Sequence, residues 1–233
     1  MYAGPARLGR VRLVVVDGPS GAGKSTFADR LAVACAALEP TEPAWSTESA
    51  WSTEPAWSTE PAWSTKSAWP PGSARPAVAC GVAVVRTDDL LDGWLDQFTF
   101  WPRLRDWVLS PLRVGRPARY RRYDWATERF GDQWITVAPP GVLVLEGVSA
   151  ARAAIRPTAT LSVFVTAPPS VCLARSLVRD GAAMQPVLDR WRKAEERFFA
   201  ADGTPDAVDL LVAGAAPLPA ESGSYRRIGG RST

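Results

Sequence analysis

The stretch V11 RLVVVDGPSGAGKSTFADRLAV 33 decides the fold. An apolar run, Val11 to Asp17, reads as a buried strand, and Lys24 to Leu38 reads as a helix with Phe27, Leu31, Ala34 and Leu38 on one face. Between them, Gly18-Pro-Ser-Gly-Ala-Gly-Lys-Ser25 matches the phosphate-binding pattern GxxxxGK[ST], in the strand-to-helix context that the pattern requires. Gly18, Gly21 and Gly23 let backbone N–H groups converge on phosphates at the positive end of the following helix. Lys24 then reaches the β and γ phosphates, Ser25 offers its hydroxyl to Mg²⁺, and Thr26 follows onto the α phosphate. Gly18, Pro19, Ser20, Gly21, Ala22, Gly23, Lys24, Ser25 and Thr26 are therefore expected to hold ATP with Mg²⁺.

Working outward, short apolar runs alternate with helical patterns, as in βα units built on a parallel sheet. Strands are expected at Val78 to Arg86, Val142 to Glu146, Leu161 to Val165 and Ala207 to Val212. Helices are expected over about Leu90 to Val114, from Pro168 to Asp180 with Gly181 closing it, and from about Gln185 to Ala201. Residues 118 to 138 read as a hairpin that turns near Gly131. The expectation is one α/β domain over residues 1–233: a P-loop fold with a parallel sheet flanked by helices, a projecting β-hairpin and a lid helix.

Residues 44 to 73 hold five six-residue units that place Trp45, Trp51, Trp57, Trp63 and Trp69 at a constant spacing of six. That period fits neither a helix nor a heptad, and the units are rich in Ser, Thr and Pro, so residues 39–76 read as a low-complexity, disordered insert. Residues 213–233 read as a loose tail.

Composition removes whole classes of chemistry. The 233 residues include no histidine, which excludes Ser-His-Asp triads, HExxH zinc sites and imidazole bases and leaves carboxylates as the candidate general bases. Three cysteines, Cys35, Cys80 and Cys172, form neither a disulfide framework nor a CxxC knuckle. No apolar run approaches the roughly 20 residues of a membrane span. With no secretory h-region at the N-terminus, a cytoplasmic location without membrane partners is expected. Without Glu39, Glu42, Glu48, Glu54, Glu60 and Lys66, 26 basic residues face 19 acidic ones, a balance of +7. Such a surface suits nucleic acid or a polyanionic small molecule. Neither helicase motifs nor a helix-turn-helix pattern accompanies it, so a nucleotide ligand is expected and a nucleic-acid partner is not. The sequence leaves the oligomeric state open.

Five further positions carry chemistry. Asp88 and Asp89 end the second core strand, where doubly wound sheets place their ligands, and a carboxylate there can take the proton of an attacking hydroxyl or help hold the metal. Glu146 ends the apolar strand VLVLE at the acidic position that orients Mg²⁺. Arg175 and Arg179 lie one turn apart on one helical face and can close over a transferring phosphoryl group.

DGPSGAGKST, TDDLL, RRYDW, VLVLEG and LARSLVRDG, in this order and spacing, resemble the uridine kinase and phosphoribulokinase group of P-loop kinases. DDLLDGW and WRKAEERFFAADGT are similar to an actinobacterial uridine kinase-like subgroup. The resemblance covers nearly all of the chain outside the insert and the tail. It implies a five-stranded parallel P-loop kinase core, with Asp88 rather than Asp89 as the catalytic aspartate. It also implies Tyr123 and Asp124 against the acceptor, with the arginine that follows them displaced to about Arg129. Glu146 would lie near Mg²⁺, and Arg179 in the lid. Where uridine-cytidine kinases carry DxFY this chain has DDLL, and Ser176 replaces one lid arginine. The expected activity is transfer of the γ-phosphate of ATP to a hydroxyl of a nucleoside-like acceptor. The alternatives are a nucleotide or sugar phosphate as acceptor, or an ATP-binding regulatory or partner-binding module without transfer.

Overall fold

The computed structural model describes residues 4–37, 81–214 and 225–230. The Trp repeat lies outside the described residues. Eight strands and six α-helices are present among those described: β1 (Arg12–Asp17), α1 (Lys24–Ala37), β2 (Val82–Arg86), α2 (Trp101–Leu104), α3 (Ser110–Arg113), β3 (Ala118–Asp124), β4 (Arg129–Val137), β5 (Val142–Glu146), β6 (Leu161–Thr166), α4 (Pro169–Asp180), α5 (Gln185–Asp202), α6 (Thr204–Ala207), β7 (Leu210–Ala213) and β8 (Arg226–Gly229). The sheet runs in the order β2-β5-β1-β6-β7-β8, and β3 pairs with β4 as a separate hairpin.

Five of the six sheet strands are parallel, as the sequence implies, while β8 adds an antiparallel edge. Part of the expected loose tail is therefore a strand, and the aromatic ring of Tyr225 beside it packs edge-on against Phe27 at 4.7 Å. Strand alternation divides the core in two. Leu13, Val15, Leu143, Leu145 and Phe164 point to the face covered by Leu104, Val108, Leu112, Trp191 and Phe199. Val14, Val16, Val142, Val144, Val163 and Val165 point to the face covered by α1 and α4 through Ala28, Cys35 and Cys172. With both faces covered, β1 and β5 are apolar at successive positions rather than alternately polar.

Four expectations need correction. On α1 the buried apolar positions are Ala28 and Cys35, with Phe27 and Leu31 partly buried, whereas Ala34 is exposed and Leu38 lies outside the described residues: the helix is rotated so that its small residues meet the sheet. Residues 90 to 100 form turns rather than a helix, and the continuous helical stretch begins at Trp101. Its middle, Arg105–Leu109, is wound as a π-helix just before Pro111, which has no N–H to donate to the preceding turn. The hairpin turns over residues 125–128, with Glu128 at a φ of +52°, and Gly131 lies inside β4. The last parallel strand is Leu210–Ala213, starting after the short helix α6. No described helix is long and apolar enough to cross a membrane.

Parallel pairing fixes the site. The register sets Arg86 of β2 and Val16 of β1 both abreast of Glu146 of β5, so the carboxyl ends of three strands open on one edge of the sheet.

Candidate active site

The segment from Gly18 to Gly23 leaves the end of β1 and enters α1 at Lys24. Two of its glycines are required by close approach. Gly18 has a φ of +141°, and a Cβ there would run into the Val165 carbonyl of β6. Gly21, at +80°, would run into the Cys172 carbonyl of α4. The loop is thus wedged between the sheet and α4, leaving the N-terminus of α1 open for an anion.

Ser20, Gly21, Gly23, Lys24, Ser25, Thr26, Asp88, Glu146, Val148, Arg175 and Arg179 line one cleft. Lys24 is buried, and its ammonium donates to the Pro19 carbonyl at 3.1 Å, folding the side chain back over the loop. Ser25 donates its hydroxyl to Glu146 Oε1 at 3.1 Å. Glu146 also faces the Arg86 guanidinium at 3.6 Å, and Arg86 is held in turn by Asp29 at 2.6 Å. Burial pushes the Glu146 carboxyl up to about 7, opposed by the nearby charge of Lys24 and reinforced by Asp88. A buried carboxylate beside a serine hydroxyl is a set of hard oxygen donors next to a phosphate loop, which suits Mg²⁺ held jointly with phosphate oxygens.

The two aspartates after β2 separate cleanly. Asp89 is not among the residues lining the cleft and pairs with the Arg122 guanidinium of β3 at 2.9 Å, whereas Asp88 is exposed and lines the cleft. Arg179 reaches the same cleft from α4, its guanidinium paired with neighbouring Asp180 at 2.7 Å. Arg175 is engaged otherwise than expected. Its guanidinium donates to the carbonyls of Gly21 and Gly214, both at 3.2 Å, so it ties the phosphate loop to the end of β7. In the place of the missing lid arginine, Ser176 is buried with its hydroxyl unpartnered.

Tyr123, Asp124 and Arg129 do not line this cleft. Tyr123 is buried between Trp125 and Phe130, with ring centroids 5.2 and 5.4 Å away. Asp124 shapes the hairpin turn by accepting from the amides of Ala126 at 2.8 Å and Thr127 at 3.3 Å. Arg129 pairs across from Asp124 and is exposed. The other hairpin arginines are also turned elsewhere: Arg119 and Arg121 lie over the Trp134 ring at 5.5 and 5.3 Å, and Arg122 meets Asp89.

Two carboxylates at the loop escape a reading of the sequence. Asp17, the last residue of β1, is fully buried and accepts from the amides of Gly18 at 2.7 Å, Ser149 at 3.0 Å and Ala151 at 2.8 Å. It joins the start of the phosphate loop to the turn after β5. Burial raises its carboxyl to about 7 against the pull of those three N–H donors. The signal in the sequence is an acid ending a strand that is apolar from Leu13 to Val16. Glu195 of α5 is buried and receives both the amide and the hydroxyl of Ser20. It sits within the WRKAEERFF stretch, whose helical spacing alone marks a core face.

Comparison with known proteins finds similarity to one kinase family and to solved structures of the same fold. The model of the phosphoribulokinase / uridine kinase family matches residues 104–199, which run from α2 through the hairpin, β5 and α4 into α5 and do not include the phosphate loop. A uridine kinase from Tolumonas auensis is 29% identical over 96 residues, 39% of this chain and 45% of that protein. One from Cronobacter sakazakii is 27% identical over 111 residues, 45% of this chain and 52% of that protein. The chain thus spans about half the length of the curated relatives it matches. The fold extends further. A structure described as a possible uridine kinase from Bacillus stearothermophilus superposes with a TM-score of 0.52 at 14% identity, covering 86% of this chain and 88% of that one. A candidate fructose transport system kinase from Silicibacter gives 0.54 at 17% identity, covering 86% and 89%.

Proposed function

We propose, for a chain whose sequence matches and fold both fall in the P-loop uridine kinase and phosphoribulokinase group, that it transfers the γ-phosphate of ATP to a hydroxyl of an uncharged, nucleoside-like acceptor. The observation that carries this reading is the single cleft in which the phosphate loop, Lys24, the Ser25–Glu146 pair, Asp88 and Arg179 meet. A module that only holds ATP has no use for an exposed carboxylate in the cleft, whereas a transferase needs one within reach of the acceptor hydroxyl.

In this reading the loop amides and the N-terminus of α1 bind the phosphates, and Lys24 leaves the Pro19 carbonyl to meet the β and γ oxygens. Ser25 and Glu146 would hold Mg²⁺, whose charge, when bound, offsets that of the phosphate oxygens. Asp88 accepts the proton of the acceptor hydroxyl as its oxygen attacks the γ phosphorus. The bond between that phosphorus and the bridging oxygen breaks, leaving ADP, and Arg179 neutralises the equatorial oxygens during transfer.

An acceptor without its own phosphate is favoured because the cations lining the cleft are Lys24 of the phosphate loop and Arg175 and Arg179 of α4, which the reading assigns to the triphosphate. The hairpin arginines that could bind a second phosphate are committed to Trp134 and Asp89. The test is Lys24→Ala, assayed for ADP release and for thermal unfolding. The expected result is loss of turnover by 10²-fold or more, on the order of one phosphate-stabilising group removed, with folding retained. Full turnover in that variant overturns the reading.

A further inference from the structure

Glu195 is separated from the phosphate loop by about 170 residues of chain, yet it is the loop's most heavily bonded side-chain partner among the described residues. Its Oε1 accepts from the Ser20 amide at 3.0 Å, the Ser20 hydroxyl at 2.8 Å and the Trp191 indole N–H at 2.6 Å. Oε2 adds only a longer contact to the Ser20 amide at 3.3 Å. The Trp191 indole, one turn earlier on α5, also reaches the Ser20 hydroxyl at 2.9 Å. Glu195 is 1% and Trp191 6% exposed, so little water competes for these bonds.

Three features make this more than a packing contact. The Ser20 amide is spent on a carboxylate of a distant helix, just as the Gly18 amide is spent on Asp17 and the Ala22 amide on the Pro19 carbonyl, so the loop is pinned at three points around Gly21 and Gly23. The anchor is rigid, since α5 is an 18-residue helix seated in the core through Leu188, Trp191 and Phe199. The indole is itself held in place by Trp94, edge-on at 5.5 Å, and Trp94 by Trp125 of the hairpin at 5.0 Å. A carboxylate with one oxygen at the focus of three donors acts by geometry, and the same geometry is available to an amide oxygen.

We infer that Glu195 is a positioning residue of the nucleotide site, holding Ser20 through Oε1 so that the remaining loop amides converge on the triphosphate. This rests on the reading of the loop as an ATP site and names how that site is held in its binding shape. It acts through Ser20 and touches neither the nucleotide nor the acceptor.

The test compares the full chain with Glu195→Gln, Glu195→Ala and Trp191→Phe. Mg·ATP affinity is measured by calorimetry, with KM and kcat for ATP wherever turnover is found, and with hydrogen exchange of the peptide covering residues 18–26. Glu195→Gln, which keeps an acceptor oxygen at the focus, should bind Mg·ATP within about threefold of the parent. Glu195→Ala should weaken it tenfold or more, with the KM for ATP raised and that for the acceptor unchanged, and exchange in the loop should quicken. If Glu195→Ala does not fold, Trp191→Phe, which removes one donor and leaves the carboxylate, should still weaken Mg·ATP by about threefold. Parent-like affinity in both Glu195→Ala and Trp191→Phe overturns the inference, as does Glu195→Gln as weak as Glu195→Ala, which would make the charge decisive. Failure of the parent protein to bind Mg·ATP would overturn the ATP reading instead, and loop exchange in Glu195→Ala would still judge the anchor.

Discussion

The Ser25 hydroxyl on the first turn of α1 donates to Glu146 Oε1 at the end of β5, 3.1 Å away and 121 residues along the chain. Parallel pairing of β1 with β5 brings them together, and burial makes the contact consequential. A carboxylate pushed up to about 7 is an expensive group to keep charged unless a cation is to share it. Replacing Glu146 with Gln keeps an acceptor for Ser25 and removes the charge. The expected outcome is a higher melting temperature together with a fall in acceptor-dependent ADP release of roughly 10²-fold. Differential scanning fluorimetry and a coupled ADP assay check the two halves, and unchanged turnover would remove Glu146 from the site.

Asp17 makes stability depend on pH in a defined direction. Its carboxyl is raised from 3.8 to about 7, so between about pH 4 and pH 7 the folded form keeps a proton that the unfolded chain releases. The stability associated with that proton is present at the acidic end of the window and is lost as pH rises through 7, by roughly 4 kcal/mol at most. Asp17→Asn should be less stable at every pH, because its amide group cannot accept from Ala151. Its denaturant midpoint should also fall less between pH 5 and pH 8 than that of the parent. Parallel pH profiles for the two proteins would show that Asp17 does not titrate there.

Gly21 meets α4 so closely that a methyl group has no room, and its φ of +80° is itself costly for any other residue. Gly21→Ala is expected to lose about 1–3 kcal/mol of stability and to weaken Mg·ATP binding. Gly203→Ala serves as a control. It has a φ of +61° at the end of α5 with nothing within 4 Å, so it should cost about 1 kcal/mol and leave binding unchanged. Equal effects of both substitutions on Mg·ATP affinity would contradict the wedge between loop and helix.

Much of the architecture is legible because it is local. The phosphate loop and the strands VVVD and VLVLE carry their own periodicity and punctuation, whereas the choice of Asp88 over Asp89 rests on family resemblance, and the structure adds only that Arg122 occupies Asp89 while Asp88 lines the cleft. What is not legible is set once by competition between two local turn signals and otherwise by distant contacts. The hairpin turn falls over residues 125–128 because Asp124 captures the amides of Ala126 and Thr127, which outweighs the glycine at 131. Arg175 carries the helical spacing of a lid residue, yet the approach of Gly21 and Gly214 offers its guanidinium two carbonyls. Tyr123, Asp124 and Arg129 follow a family motif whose surroundings here are the aromatic packing and turn of the hairpin rather than the cleft. Asp17 and Glu195 become visible only once β5 and α5 are folded against the loop.

The central claim, hydroxyl phosphorylation with Asp88 as base, is tested most directly by ADP release from ATP and Mg²⁺ across a panel of nucleosides, nucleoside monophosphates, pantothenate and sugar phosphates, with Asp88→Asn alongside. The predicted result is turnover stimulated by an uncharged, nucleoside-like acceptor and reduced about 10²- to 10⁴-fold in Asp88→Asn, with ATP binding retained. ATP binding without stimulation by any acceptor, or stimulation that survives in Asp88→Asn, would contradict it.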